Sequence, residues 1–447
     1  IGFYLVLFLF VFIPFRSPLA DLTTSALKAV PDVLVLLLFI GYSISIRFRY
    51  KFRIYDWFFL GFLAVGFIST VLVNHVGLSA FVFQVRSISV YYVLFFVLRN
   101  FEFGEREYCI AIKVLQIVAC VLFVFAMVEK VTSKTVFFSQ EVAESIIYPS
   151  NFARVYSLFY NPNTYGVFLS FVFFASCYKD YHYQKKSPIV VYVVLIASIF
   201  LSMSRSTLII MVIGLALLAL HVTLKKEWKM LWKKAVGYTA IVVACVAVIT
   251  VALNALNGLY YREIIDKSED INIQHQEVIN GSLGVSTSDR LNEMGESEMY
   301  EASATNGRIY SVQTGLKVFI DHPVVGTGFG TFGSAASLNF KPAIYDQYDI
   351  PFPFYSDIEY IKVLVENGTI GTLLFAAFLC AILYRHRKDH FKILLCIIFG
   401  WFGFFYNIFE VQIAACIFWT LMSFKDNETV LKIGKKVGRK GDDNGDS

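Results

Sequence analysis

The chain has 447 residues, of which 57% are hydrophobic and 17% aromatic, whereas only 16% carry a charge. Charged side chains are too few to cover a water-soluble surface, so the composition predicts an integral membrane protein. The formal net charge of +5 is modest and does not imply a nucleic-acid partner. The seven cysteines lie in or beside apolar runs, with no close pair and no histidine at ligand spacing, so neither disulfides nor metal sites are expected.

Twelve apolar runs of about 15 to 25 residues have the length of a transmembrane helix. They are 2–15, 30–46, 56–74, 80–98, 108–128, 163–178, 188–203, 206–222, 235–254, 358–384, 391–405 and 409–423. The predicted fold class is therefore an all-α polytopic membrane protein with about 12 transmembrane helices. Because the first run is short and no initiator Met precedes it, we expect the sequence to begin inside its first helix.

Lysine and arginine are concentrated in alternate connectors between these runs. The basic connectors are 47–53, 99–106, 179–186, 225–234 and 385–388, together with the polar tail. The intervening short connectors hold only Arg16, Lys28 and Arg205. Since basic residues accumulate on the cytoplasmic side, both termini are predicted to be cytoplasmic, and the loops 129–162 and 255–357 to face outside.

One connector is far longer than a loop between two spans requires. The predicted divisions are helices 1–9 in residues 1–254, a large extracytoplasmic loop in 255–357, helices 10–12 in 358–423 and a cytoplasmic tail in 424–447. Within the loop, residues 271–305 are acidic and weakly periodic, which indicates flexible or short helical pieces. Residues 307–332 combine helical apolar spacing with glycines and are predicted to be ordered.

Two helix-start signals fall on the predicted outer side. Asn161-Pro-Asn163 precedes the sixth span and is a turn and cap signal. Arg205 lies in a very short hairpin, and the next helix is predicted to start with Ser206 and Thr207. Free backbone N–H groups and a guanidinium would then converge, which is a phosphate-binding geometry. A plain interfacial arginine is the alternative.

Two further arginines stand out by position. Arg86 lies inside the fourth span, where a charge costs about 2.5–3.5 kcal/mol, so it is interpreted either as an anion ligand or as a snorkelling or carbonyl-paired side chain. Arg308 begins an amphipathic helical pattern that ends at Asp321.

The glycine-rich run 326–333 follows this pattern and is reminiscent of a nucleotide-binding loop. No Lys-Ser/Thr follows at P-loop spacing, and the segment is predicted to be extracytoplasmic, where ATP is absent. We expect tight turns instead, which let the chain fold back on the membrane surface.

The tenth span opens with a group of carboxylates. Asp357 and Glu359 lie at its mouth, and Glu366 lies about two turns into it. Asp357 is either an N-cap, together with Ser356, or a general base. A carboxylate at the depth of Glu366 should face a partner or a polar cavity, and Lys362, one turn away, is the simplest partner.

Four segments, in this order and topology, resemble the bacterial O-antigen ligase and polymerase superfamily, which includes the Wzy-type polysaccharide polymerases. They are Asn161-Pro-Asn-Thr-Tyr-Gly, Ser202-Met-Ser-Arg-Ser, Gly307-Arg308 leading through His322-Pro-Val-Val-Gly-Thr-Gly to Phe332, and Asp357 to Gly371. Together with the long outer loop before the last spans, they cover most of the chain.

The resemblance implies a multi-pass enzyme of the bacterial cytoplasmic membrane with its active site at the outer face. Such an enzyme is a polymerase that transfers a growing O-antigen, capsule or similar glycan from polyprenyl diphosphate to the hydroxyl of another lipid-linked repeat unit. Arg205 and Arg308 are then the catalytic cations at the diphosphate and Asp357 the catalytic base. Further substrate-binding candidates are Arg86, Glu359, Glu366, Asn161, Asn163 and His322.

The implied partners are the lipid-linked donor and acceptor and the bilayer, with a chain-length regulator and a flippase as further candidates and no metal or cofactor. The main alternative is a ligase that moves the glycan to a different lipid or cell-wall acceptor. Ligases of the family typically carry His-Asn where this chain has Asp357-Ile358. A lipid-linked oligosaccharide flippase is a weaker alternative, since it would not need the long loop. An oligosaccharyltransferase-type enzyme is weaker still, because the loop 16–29 holds only Asp21 where an acidic pair is usual.

Overall fold

The computed structural model describes residues 2–132, 154–159, 161–224, 242–256, 259 and 307–425. Within these ranges the chain forms helices joined by loops and contains no strand, as predicted for an all-α protein. Much of the predicted outer loops 129–162 and 255–357, the start of the ninth apolar run and nearly all of the tail lie outside the described residues.

The helices follow the predicted runs closely. The first half contains α1 (Gly2–Leu22), a 3-10 turn (Ser25–Ala29), α2 (Val30–Ser45), α3 (Ile54–Phe67) with a π-helical extension (Ile68–Val73), α4 (Leu78–Leu98), α5 (Glu105–Val131) and α6 (Pro162–His182). The second half contains α7 (Ile189–Ser202), α8 (Arg205–Leu224), α9 (Val242–Leu256), α10 (Arg308–Asp321), α11 (Ile344–Gln347), α12 (Glu359–Arg385), α13 (His390–Phe402) and α14 (Gln412–Ser423). Within the described residues each predicted span overlaps a helix, and α1 continues through Pro14 and Pro18 to Leu22 instead of ending at residue 15.

Six of the described helical stretches are long and apolar enough to cross a membrane. They are Gly2–Leu22, Ser25–Ser45, Ile54–Val73, Leu78–Leu98, Glu105–Val131 and Glu359–Arg385. The shorter helices α7, α8, α9, α13 and α14 are also apolar. The chain is thus an all-helical protein with the features of a multi-pass membrane protein, while the count of twelve spans stays a prediction.

The chain divides into two compact units. The first comprises the described parts of Ile1–Phe3, Asp32–Tyr108 and Ser311–Ser447, and the second those of Tyr4–Pro31 and Cys109–Tyr310. In the first unit α12 packs along α3, and α14 packs against α4 and α13. In the second unit α6 packs against α7 and α8.

The core of the first unit is aromatic. Trp419 of α14 is 1% exposed, and its ring centroid lies 5.1 Å from those of Tyr92 and Phe95 and 6.0 Å from that of Phe378. Aromatic rings bury large areas and gain further from tilted and edge-on contacts. This cluster therefore holds α4, α12 and α14 together.

A buried ion pair fixes the start of α3 against the end of α4. The two terminal nitrogens of Arg99 each donate to one carboxylate oxygen of Asp56 at 2.7 Å, and the Tyr92 hydroxyl donates to the same carboxylate. The guanidinium also lies 4.5 Å from the ring centroid of Phe96. A planar, bidentate pair of this kind combines charge with fixed geometry, so the relative position of the two helix ends is strongly determined.

The helix α12 is broken at Gly368, which has a φ of 59° and a ψ of −163°. The glycine-rich run fits against this break, because the N–H groups of Thr327 and Gly328 donate to the carbonyls of Val365 and Glu366 at 2.9 and 2.8 Å. The freed carbonyls of a broken helix need such donors inside a membrane protein.

The glycine-rich run is a buried element of the first unit, and it makes the tight turns that the sequence predicts, since Gly326, Gly328, Gly330 and Gly333 all have positive φ. Its position at the membrane surface stays a prediction. Residues 326–334 are all buried. The N–H of Phe329 donates to the Thr70 hydroxyl oxygen at 2.6 Å, and a Cβ on Gly328 would lie 2.7 Å from the Cα of Thr70. The glycines are required because backbone packs directly on backbone.

We expect Gly326→Ala to be strongly destabilising. Gly326 has a φ of +71°, and a Cβ there would lie 2.5 Å from backbone atoms of Val365, Glu366 and Gly368. Left-handed strain alone costs about 1–3 kcal/mol, and the steric clash adds to it.

The measurement is thermal unfolding of the purified protein in detergent. Gly77→Ala is the matched control, since Gly77 has a φ of +118° but no neighbour closer than 3.9 Å to an added Cβ. A melting temperature for Gly326→Ala equal to that of Gly77→Ala would show that the close backbone contact is unimportant.

Candidate functional site

The Asn161-Pro-Asn163 motif caps a helix, as predicted. The side-chain oxygen of Asn161 accepts from the N–H groups of Asn163 at 2.8 Å and Thr164 at 3.4 Å, and α6 begins at Pro162. Pro162 has no N–H, and the N–H of Tyr165 donates to the Asn161 carbonyl at 3.2 Å, so the cap satisfies the donors of the first turn of α6. This end of the helix carries the partial positive charge of the helix dipole.

The hairpin between α7 and α8 is only two residues long. Met203 has a φ of 46° and ends α7, Ser204 follows, and α8 begins at Arg205, one residue earlier than predicted. The hydroxyl oxygen of Ser204 accepts from the Thr207 hydroxyl at 2.9 Å, and the oxygens of Ser204 and Ser206 are 3.2 Å apart. Arg205 is therefore the first residue of a helix that starts on a tight, hydroxyl-rich turn.

The first turns of α6 and α8 lie against each other. An added Cβ on Gly166 of α6 would lie 2.2 Å from the hydroxyl oxygen of Thr207 of α8, so glycine is needed for this approach. Gly166 and Thr207 are both buried. Two helix N-termini, each carrying partial positive charge, are thus adjacent in the second unit.

A third polar group, Arg154, connects the start of α6 to the end of α7, which only two residues separate from α8. Its Nη2 donates to the side-chain oxygen of Asn163 at 2.5 Å, and its Nε donates to the carbonyl of Ser202 at 3.1 Å. The residue is 8% exposed. Its segment is held in place by Glu129, whose carboxylate accepts from the N–H groups of Tyr156 and Ser157 at 2.9 and 2.6 Å.

We name Arg154, Asn161, Asn163 and the turn 202–207 the asparagine–arginine cluster. The sequence predicts its asparagines and Arg205 but not Arg154, whose only signal is a basic residue in a predicted outer loop shortly before the Asn-Pro-Asn motif. Arg308 begins α10, so Arg205 and Arg308 share the same local setting at the first residue of a helix.

The predicted substrate ligands Arg86 and His322 belong to the first unit. Arg86 pairs with Asp32 at 2.5 Å, and its side chain is 42% exposed. His322 is half-buried in the turn that follows α10. Beside it, the Tyr348 hydroxyl donates to Asp321 at 2.7 Å. Burial and this hydrogen bond raise the pKa of Tyr348 to about 12.

The start of α12 differs from the N-cap interpretation. The cap position is Ile358 rather than Asp357, and the Ile358 side chain makes no capping hydrogen bond. The N–H of Glu359 donates to the carbonyl of Gly403 at 2.9 Å. Asp357 is partly exposed and precedes the helix by two residues.

A buried charge cluster occupies the first turns of α12. The Lys362 ammonium lies 2.8 Å from Glu359 and 2.7 Å from Glu410, and the three side chains are 2–3% exposed. Gln84 of α4 and the N–H of Ala335 also donate to the Glu410 carboxylate, at 2.7 and 2.9 Å. We name Glu359, Lys362, Glu366, Glu410 and Gln84 the charge cluster.

The sequence interpretation paired Lys362 with Glu366, and this pairing is wrong. Glu366 accepts from the N–H of Phe332 at 3.1 Å through Oε1, while Lys362 binds the other two carboxylates. Glu410 was missed because it lies at the mouth of the last span, 48 residues away in sequence. Glu359 is occupied by Lys362 and by the N–H of Phe409 at 3.2 Å, so it is a structural carboxylate.

The asparagine–arginine cluster and the charge cluster differ in what they can bind. The asparagine–arginine cluster presents donors and cations and can bind an anion such as phosphate. The charge cluster is closed by internal ion pairs, and among the residues that the structure describes no group of three or more His, Cys, Asp or Glu side chains could hold a metal ion.

The comparison with known families agrees with the motifs. Residues 190–376 match the family model described as O-antigen ligase. This stretch contains Arg205, Arg308 and Asp357, whereas Arg154 precedes it and Glu410 follows it. The match confirms the resemblance to the O-antigen ligase and polymerase superfamily. No curated protein matches the chain.

We expect Lys362→Met to be among the most destabilising single changes in the first unit. It leaves Glu359 and Glu410 buried without their cation, which costs about 3–5 kcal/mol. The triple variant Lys362→Met, Glu359→Gln, Glu410→Gln removes the charges together and should recover part of this loss.

Unfolding free energies in mixed detergent micelles give the comparison. Lys341→Met is the matched control, since Lys341 pairs with Asp346 on the exposed surface and should contribute little. If the triple variant were as unstable as the single one, uncompensated charge would not be the cause.

Proposed function

We propose that the protein is a membrane glycosyltransferase that polymerises a bacterial surface glycan. It transfers the growing chain from polyprenyl diphosphate to a hydroxyl of another lipid-linked repeat unit, at the outer face of the cytoplasmic membrane. The family match at residues 190–376 supports glycan transfer in general, and the acidic Asp357-Ile358 pair favours the polymerase over the ligase.

The observation that carries the proposal is that Arg205 and Arg308 each begin a helix inside the matched segment. A guanidinium at the first turn of a helix combines its own charge and directed donors with the partial positive charge of the helix end. Arginine also binds phosphate oxygens bidentately and stays charged at any physiological pH. We therefore assign both arginines to the diphosphate.

The reaction places new charge on the leaving group. The acceptor oxygen forms a bond to the anomeric carbon while the bond from that carbon to the diphosphate oxygen breaks, and its electron pair stays on the diphosphate. Fixed cations aimed at that oxygen lower the barrier, because they interact more strongly with the transition state than with the substrate. Arg154 would act through its neighbours, since it holds Asn163 and the turn before Arg205 together.

A base must take the proton of the acceptor hydroxyl as the new bond forms. Asp357 remains the proposed base on the sequence argument, and its half-exposed position keeps it accessible to a substrate hydroxyl. Glu359, two residues further on, is a poor candidate for this role because its carboxylate is buried against Lys362.

A ligase is the second candidate, since the matched family model carries that description. The two reactions share the donor and differ in the acceptor. Analysis of the product separates them: repeat units added on polyprenyl diphosphate indicate a polymerase, and glycan on another lipid or cell-wall anchor indicates a ligase. Transfer in detergent micelles, which have no two sides, would exclude a flippase as the sole activity.

We expect Arg205→Ala and Arg308→Ala each to lower glycan transfer about 100-fold or more, as loss of a transition-state donor typically does. Chain length is measured on gels from cells that lack the native gene and produce each variant at normal levels. Arg387→Ala is the control, since Arg387 contacts Tyr384 at a predicted cytoplasmic connector. Full-length polymer from both variants would refute the diphosphate assignment.

Asp357→Asn should reduce the transfer rate about 100-fold while leaving donor binding intact, because an amide keeps the shape but accepts no proton. The assay uses purified enzyme, lipid-linked donor and saturating acceptor, with Asp346→Asn as a control at an exposed loop carboxylate. An unchanged rate would place the base at another residue.

A further inference from the structure

The charge cluster of the first unit borders a small internal cavity. The cavity has a volume of about 10 Å³, which is at the lower limit of what one buried water molecule needs. Its polar lining consists of Gln84, Glu359, Lys362, Glu366 and Asn367. The remaining lining is apolar and largely phenylalanine, so polar atoms that face the cavity cannot reach bulk water.

Two of the three carboxylates in the charge cluster accept a hydrogen bond at each of their two oxygens. Both oxygens of Glu359 accept, from Lys362 and from the N–H of Phe409, and both oxygens of Glu410 accept, from Lys362 and from the N–H of Ala335. A carboxylate that accepts at both oxygens is held in its ionised form. Glu359 and Glu410 therefore carry the negative charges that Lys362 balances in part.

Glu366 is different. Its Oε1 accepts from Phe332, but within the described ranges its Oε2 has no hydrogen-bond partner, and neither do Gln84 Oε1 and Asn367 Oδ1. The side-chain amides of Gln84 and Asn367 are each oriented by the hydrogen bond that their nitrogen donates. Gln84 Nε2 donates to Glu410 at 2.7 Å, and Asn367 Nδ2 donates to the carbonyl of Val363 at 3.4 Å. Three oxygen atoms around this one cavity thus lack a hydrogen-bond donor among the described residues.

The charge balance of the cluster also indicates that Glu366 is not ionised. Three ionised carboxylates against one ammonium would leave two uncompensated negative charges in an apolar environment, which is costly. Glu366 also lies in the last turn before the break at Gly368, at the partially negative end of a half-helix. That end of a helix disfavours a further negative charge.

We propose that Glu366 is a proton-binding site, a carboxylic acid that is neutral at pH 7 and joined to its neighbours through one buried water. The acid donates its Oε2–H to the water, and the third N–H of Lys362 donates to the same water. The water donates in turn to Gln84 Oε1 and Asn367 Oδ1. Every polar atom in the cavity then has a partner, and Glu359, Glu410 and Lys362 are the charged groups that face the acid.

The charge state of Glu366 affects the contact between α12 and the glycine-rich run. Glu366 is joined to the glycine-rich run twice, through Phe332 at its side chain and through Gly328 at its carbonyl. Loss of the proton would add a second unbalanced charge where this run meets the break in α12.

Infrared difference spectroscopy of the purified full chain in nanodiscs tests the proton directly. We expect the carbonyl stretch of a protonated carboxylic acid at pH 7, lost in Glu366→Gln and retained in Glu102→Gln. Glu102 is a control because it is an exposed carboxylate that pairs with Lys425. No such band in the wild type, or a band that survives Glu366→Gln, would overturn the proposal.

Thermal unfolding gives a second, independent readout. Glu366→Gln should keep the wild-type melting temperature, because a glutamine amide is neutral and donates as the acid does, whereas Glu359→Gln should lower it by removing a partner of Lys362. A Glu366→Gln protein that fails to fold, or melts as low as Glu359→Gln, would show that Glu366 is ionised in the native protein. Neither measurement depends on glycan transfer.

Discussion

The first unit depends on the ion pairs of the Lys362 ammonium. This group lies inside an apolar bundle and pairs with two carboxylates: Glu359, one turn back on its own helix, and Glu410, just before the last helix. The second of these, Glu410, also binds α4 and the segment after the glycine-rich run through Gln84 and Ala335. Since unpaired charge in such an interior is costly, each of these elements has essentially one position that it can take.

Much of the helical framework follows from the sequence because burial in lipid demands long apolar runs, and the described parts of these runs lie largely in helices. Two local signals were confirmed as well: Asn161 caps α6, and the turn before Arg205 is as short as its sequence suggests. These features depend on neighbours within a few residues, where composition and hydrogen-bonding capacity are sufficient to determine the outcome.

The partners of the buried polar side chains could not be predicted in the same way. Hydropathy reports how deep a residue lies but not which residue faces it, so Lys362 was paired with its sequence neighbour Glu366 rather than with Glu410. Arg86 was placed inside the bundle from its depth alone, although Asp32, 54 residues earlier, reaches it at a half-exposed position. Arg154 had no periodic pattern to mark it, since its contacts depend on how three separate segments meet.

The close approach of Gly166 to Thr207 has a thermodynamic consequence for the second unit. It forces two helix ends of like polarity together, beside the guanidinium of Arg154 and at the start of the helix that Arg205 begins. A phosphate group bound beside the two helix ends would interact favourably with the partial positive charge of both. Binding of this kind to the folded state would appear as added stability of the loaded protein. The lipid donor, if it binds there, would then act as a folding ligand as well as a substrate.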